Sequence, residues 1–150
     1  MAIVVDLQTR QAIEYITREL SQIEKDQAIR KGLSEAAKVF ERFGRANLAI
    51  AYKGTGTGAI FNTFSTKVVL KRKKGESPTS YAGLRWPEGY TAHWLDLGTK
   101  ERVQKKTGKK VGRVKATYFF TNAREEGERP AMEALYDGVQ RMVDRINSRR

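Results

Sequence analysis

The sequence predicts an α+β fold in which a small antiparallel β-sheet packs against N-terminal helices and a C-terminal helix, with a long basic loop. Three observations predict it. Apolar residues recur at spacings of three and four near both ends of the chain. A β-branched run and an alternating run lie between them, and a lysine- and arginine-rich block poor in apolar residues comes next. At 150 residues a chain buries about 68–70% of the surface it exposes when unfolded, enough for a core without staples. One domain over 1–150 is expected, with helices about 7–50, sheet and basic loop about 57–122, and a last helix about 129–147.

The first helix rests on Ile13, Ile16, Leu20 and Ile23, with Asp6 or Thr9 as its N-cap. Ile29, Leu33, Ala36, Phe40 and Phe43 continue the spacing in a second helix. Asp26 is its candidate cap, and it stops at Gly44 or runs on to Ala51. Strands are read at Thr66–Lys71 and Tyr81–Trp86, with Gly75–Ser80 turning between them, and a third at Val114–Thr121. Pro130 opens the last helix, along which Met132, Leu135, Val139, Met142 and Ile146 form one stripe. Each helical stripe serves either the sheet or an oligomer interface.

Several chemistries find no residues to carry them. The chain has no cysteine and one histidine, so thiol chemistry is absent and zinc would have only His93 and carboxylates as ligands. No cofactor is expected. The first ten residues carry no secretory pattern and no run reaches a membrane-spanning length, which places the chain in a cytosol without membrane contact. Gly54–Gly58 lacks the Gly-Lys-Ser/Thr ending of a phosphate loop. His93 and Asp96 sit three apart without any serine in a nucleophile-elbow context. Glu125, Glu126 and Glu128 read as a charged turn before the last helix.

The formal charge of +12 is regional: residues 1–65 carry +2, residues 66–115 carry +10 and residues 116–150 are neutral. Its centre is Lys100, Arg102, Lys105, Lys106, Lys109, Lys110, Arg113 and Lys115 against Glu101 alone, a net +7 in sixteen residues. With Gly108 and Gly112 inside it, this stretch is a long mobile loop or a hairpin extension. Lys71, Arg72, Lys73 and Lys74 form a secondary basic turn. Such a surface attracts a phosphate backbone or an acidic protein neighbour, and no aromatic residue interrupts the block to stack on bases.

Two stretches resemble the head–tail joining (neck, or tail-completion) family of tailed bacteriophages and prophages. Thr57-Gly58-Ala59-Ile60-Phe61-Asn62-Thr63-Phe64 is similar to that family's Thr-Gly-x-Leu-x-x-Ser-Ile element. Tyr90-Thr91-Ala92-His93-Trp94-Leu95-Asp96-Leu97-Gly98-Thr99 is similar to its Tyr-Ala-x-x-x-Glu-Phe-Gly-Thr signature. Ala116–Ala123 keeps the aromatic pair and final alanine of the family's Arg-Pro-Phe-Leu-Arg-Pro-Ala run, without its prolines. In this setting Thr57, Gly58, Ala59, Tyr90, Trp94, Asp96, Gly98 and Thr99 are structural residues. The resemblance implies a non-enzymatic virion assembly protein, made in the host bacterial cytoplasm and built into the virion neck or tail. It implies a ring of identical subunits, six in the virion, between connector and tail-tube or tail-terminator proteins, with DNA passing through. A stand-alone basic nucleic-acid-binding module is the alternative.

Overall fold

Ser21 begins the longest element of the computed structural model, which describes residues 2–6, 10–52, 59–70, 78–85 and 90–149. Its hydroxyl accepts from the Glu24 N–H, and the Glu24 carboxylate accepts from the Ser21 N–H at 2.8 Å, a reciprocal cap that satisfies two otherwise unpaired donors. Helix α2 (Gln22–Ala51) follows without interruption. Ala28, Leu33, Ala36, Phe40 and Leu48 form its buried stripe. That face meets α5 (Phe119–Asn147), whose buried residues include Phe119, Phe120, Ala123, Leu135, Val139 and Val143. Gly32 lies against Leu135 and Val139, Gly127 against Phe40, and Asn47 reaches Phe119 and Glu126, so the two long helices run antiparallel.

Their backbones touch at one crossing. A Cβ on Gly32 would sit 2.6 Å from the Leu135 carbonyl oxygen, and one on Gly138 2.8 Å from the Gly32 Cα. Glycine is what allows this approach, because any side chain there would drive the helices apart.

The sheet packs against α2 as well. Strand β3 (Thr79–Leu84) is central, with β1 (Ala2–Asp6) and β2 (Phe64–Val69) antiparallel to it on either edge. Ala2 pairs with Gly83 and Asp6 with Thr79, while Phe64 pairs with Leu84 and Val69 with Thr79. Phe64 is 5% exposed, and its ring fills the space a Gly44 side chain would take. Arg45 stacks on that ring at 5.5 Å and donates to the Phe64 carbonyl. The remaining elements are α1 (Arg10–Thr17), α3 (Ala59–Asn62), α4 (Tyr90–Leu97), β4 (Arg102–Val103) and β5 (Lys110–Gly112).

The α+β architecture agrees with the sequence expectation, and several boundaries do not. The chain breaks at residues 18–21 because Ser21 starts a new helix, which leaves Ile23 of the expected first stripe 72% exposed. Ser21 rather than Asp26 caps α2, and Gly44 is a packing residue inside it. Asp6 ends β1 instead of capping a helix, and Thr9 lies outside the described residues. The two middle strands start about two residues earlier than expected, so Ser80 belongs to β3 and not to the turn. Val114–Thr121 is no strand: residues 113–118 are irregular and Phe119 already begins α5. Pro130 therefore sits inside that helix, where its missing N–H removes one backbone bond, and Glu125, Glu126 and Glu128 lie on helical turns.

Candidate functional site

Helix α4 buries Ala92 and Asp96, four residues apart on one face. Its last carbonyls have no partner within the helix and are taken by an extended segment that returns from the far side of the basic block. The Leu95 carbonyl accepts from the Thr117 N–H at 2.9 Å and from the Thr117 hydroxyl at 2.7 Å, and the Asp96 carbonyl accepts from the Tyr118 N–H at 3.0 Å. Gly98 then turns the chain at φ +74°, where a Cβ would lie 2.8 Å from the Ala116 nitrogen. Beyond the turn the Thr99 N–H donates to the Val114 carbonyl at 2.9 Å, and the Thr99 hydroxyl accepts from the Val114 N–H at 3.0 Å. Residues 95–99 and 114–118 are thus laced together, and everything between them projects from that lacing.

The Asp96 side chain extends the brace to α5. It is 2% exposed, and its Oδ1 accepts from the N–H of Phe120 at 2.8 Å and of Thr121 at 3.4 Å, while Oδ2 takes the Thr121 hydroxyl at 3.2 Å. The residue preceding α5, Tyr118, is in the left-handed region at φ 52° and offers no cap of its own. A buried carboxylate at a helix N-terminus meets both the unpaired donors and the positive end of the helix dipole. With both oxygens committed to α5, Asp96 makes no hydrogen bond to His93, which is exposed.

From this base rises a hairpin. Arg102 pairs with Gly112 and Val103 with Lys110, and the register shifts between these pairs. At the tip Gln104 donates its N–H to the Lys109 carbonyl at 2.9 Å and accepts from the Gly108 N–H at 2.8 Å, while the Thr107 hydroxyl donates to the Gln104 side-chain oxygen. Of the two forms expected for the basic block, the structure has the hairpin. Every residue from Lys100 to Arg113 is exposed, and so is Lys115.

Two of its eight cations are engaged. Arg102 lies over the Trp94 ring at 5.6 Å, and Lys110 stands 3.6 Å from Glu101. Lys100, Lys105, Lys106, Lys109, Arg113 and Lys115 form no ion pair among the described residues. At the foot of the hairpin an open cleft of about 920 Å³ runs between residues 97–101 and 112–116, with Lys100, Arg113 and Lys115 on its walls.

The structure brings Asp96, Gly98 and Thr99 together in the brace, with Trp94 beside it under Arg102, and Tyr90 opens the helix that carries Trp94 and Asp96. Ala59 is the first residue of α3; Thr57 and Gly58 lie outside the described residues, as do Lys71, Arg72, Lys73 and Lys74. Sequence reasoning missed Thr117 and Tyr118 as brace residues, because Tyr118-Phe119-Phe120 carries a strand-like composition that hid the segment's real role. Among the described residues no helix is long and apolar enough to cross a membrane. No family model, no curated protein and no solved structure matches the chain.

Proposed function

We propose that the chain is a structural, non-enzymatic assembly subunit of a tailed phage or prophage. In this reading identical copies, six in the virion, form a ring at the head–tail joint beside connector and tail-tube or tail-terminator proteins, and DNA passes through the ring. The subunit is made in the host cytoplasm and ends in the virion neck or tail. One observation carries the reading: the second stretch that resembles the neck family is a brace from which residues 100–113, all exposed and of net charge +6, project. Of the His93–Asp96 pair that a hydrolase would use, Asp96 has both carboxylate oxygens spent on the start of α5. Cations on copies of one hairpin, set around an axis, suit a passage for a polyanion without sequence preference.

Electron microscopy of particles from a phage or induced prophage lacking this reading frame, with complementation as control, tests the proposal. DNA-filled heads and finished tails lying apart are expected, and complementation rejoins them. Intact, infectious virions would overturn it and leave the stand-alone nucleic-acid module in its place.

A further inference from the structure

We infer that the ligand of the hairpin is the phosphate backbone of duplex nucleic acid, held by two separate groups of three cations: Lys105, Lys106 and Lys109 at the tip, and Lys100, Arg113 and Lys115 at the cleft. The inference rests on the proposed passage of DNA past this subunit and names the atoms that meet it. The other two cations have a different task. Arg102 on Trp94 and Lys110 at Glu101 fix the ribbon relative to α4 and to its own other arm, so they position the six that remain.

Three features select this ligand. The six cations are exposed and without ion-pair partners among the described residues, so phosphate contact costs no existing pair. From Thr99 to Lys105 the ribbon reaches about 20 Å at ~3.3 Å per residue, which spreads the two groups over a length comparable to several phosphates of one strand. Base readout has no instrument here: the block contains no aromatic residue, and the oxygen of its one amide side chain, Gln104, is held by Thr107. An acidic protein partner is the weaker fit, since protein interfaces are depleted in lysine and enriched in aromatics, the reverse of this surface.

The experiment is fluorescence anisotropy of the purified full chain with labelled 30-base-pair duplexes of two unrelated sequences, from 50 to 200 mM salt. Six phosphate contacts give a slope of log affinity against log salt of about −5, a loss of roughly 10³-fold over that range, with the two sequences bound alike. K105Q/K106Q/K109Q and K100Q/R113Q/K115Q each bring the slope to about −3, so that the same salt step costs only ~40-fold. Because none of the six packs in the core, both variants are expected to melt with the wild type, and either triple decides the matter if the other misfolds. Unchanged slopes in a folded triple variant, absence of duplex binding, or equal competition by polyglutamate of matched charge would overturn the inference, the last in favour of an acidic protein. Tighter binding to a single strand of equal length would also overturn it. The particle phenotype is read separately: detached heads and tails without duplex binding remove only the hairpin assignment, and duplex binding with intact virions removes only the joint.

Discussion

Replacing Asp96 with alanine removes the side chain that starts α5. Three bonds go at once: 2.8 Å from the buried Phe120 N–H, 3.4 Å from the Thr121 N–H and 3.2 Å from the Thr121 hydroxyl. Loss of a helix cap costs about 0.5–2 kcal/mol, and a hydrogen bond to a charged group contributes about 1.5–3 kcal/mol. The two figures describe largely the same bonds, so they overlap. The Phe120 N–H has no water at hand, since its residue is 7% exposed, which puts D96A at about 2–4 kcal/mol. With m near ~2 kcal/mol/M, the urea midpoint falls by about 1–2 M at unchanged m. Asp96→Asn keeps one accepting oxygen and loses the charge facing the helix dipole, so it recovers roughly half of that loss. A midpoint shift under ~0.3 M for D96A would refute the reasoning, because a carboxylate that caps the largest helical interface cannot be removed so cheaply.

Three further outcomes are expected. Gly32→Ala brings a Cβ to 2.6 Å from the Leu135 carbonyl oxygen; overpacking at the upper end of about 1–3 kcal/mol outweighs the helix-propensity gain of about 1 kcal/mol, for a net loss of about 1–2 kcal/mol in a urea melt. Combined with Gly138→Ala at the same crossing it gives a non-additive cycle. Gly98→Ala meets a φ of +74° and the Ala116 nitrogen at 2.8 Å, costing at least about 1–2 kcal/mol and speeding amide exchange at Thr99 and Val114, whose bonds close the foot of the hairpin. Glu35 is held below its ordinary carboxylate range first by its hydrogen bond from Lys31, then by Lys38, with partial burial opposing. Its folded value is depressed, so its contribution is complete above about pH 4.5 and is lost as pH falls through the folded value. As a surface pair it contributes about 0.3–0.5 kcal/mol, and E35Q flattens this part of the stability–pH curve.

How much of this was legible depended on how local each cause is. The stripe from Ile29 to Phe43, the antiparallel pairing of β2 with β3 and the exposed basic block all follow from spacing and composition within a few residues. The break before α2 had a local signal too, Ser21 three residues ahead of Glu24, but the continuing apolar period through Ile23 concealed it. β1 is different. Ala2–Asp6 becomes a strand by pairing with Thr79–Gly83, a partner more than seventy residues away. The first turns of α5 were hidden for the same reason: their cap is Asp96, and no cap stands beside Phe119 in the sequence. Rules that look for capping residues next to a helix fail where the fold supplies the cap from another element.

Asp96 and the cations of the basic block occupy opposite environments, one buried and the others exposed, and this separates two kinds of variant. Asp96 is 2% exposed and serves two elements at once, its carboxylate starting α5 and its carbonyl holding Tyr118. Changes there act on stability and on where the hairpin points, since the segment that returns from the hairpin runs directly into α5. Of the six cations without an ion-pair partner among the described residues, five lie beyond the Thr99–Val114 bonds, and Lys115 sits in the laced segment with its side chain exposed. Changing them leaves the α2–α5 pair and the sheet intact and removes only charge. If the proposed joining function holds, a joining defect that comes with a lowered melt traces to the brace, while one at full stability traces to the hairpin. Because the brace is made of backbone bonds plus three side chains, Asp96, Thr99 and Thr117, the charge pattern beyond it is free to vary without altering the fold that presents it.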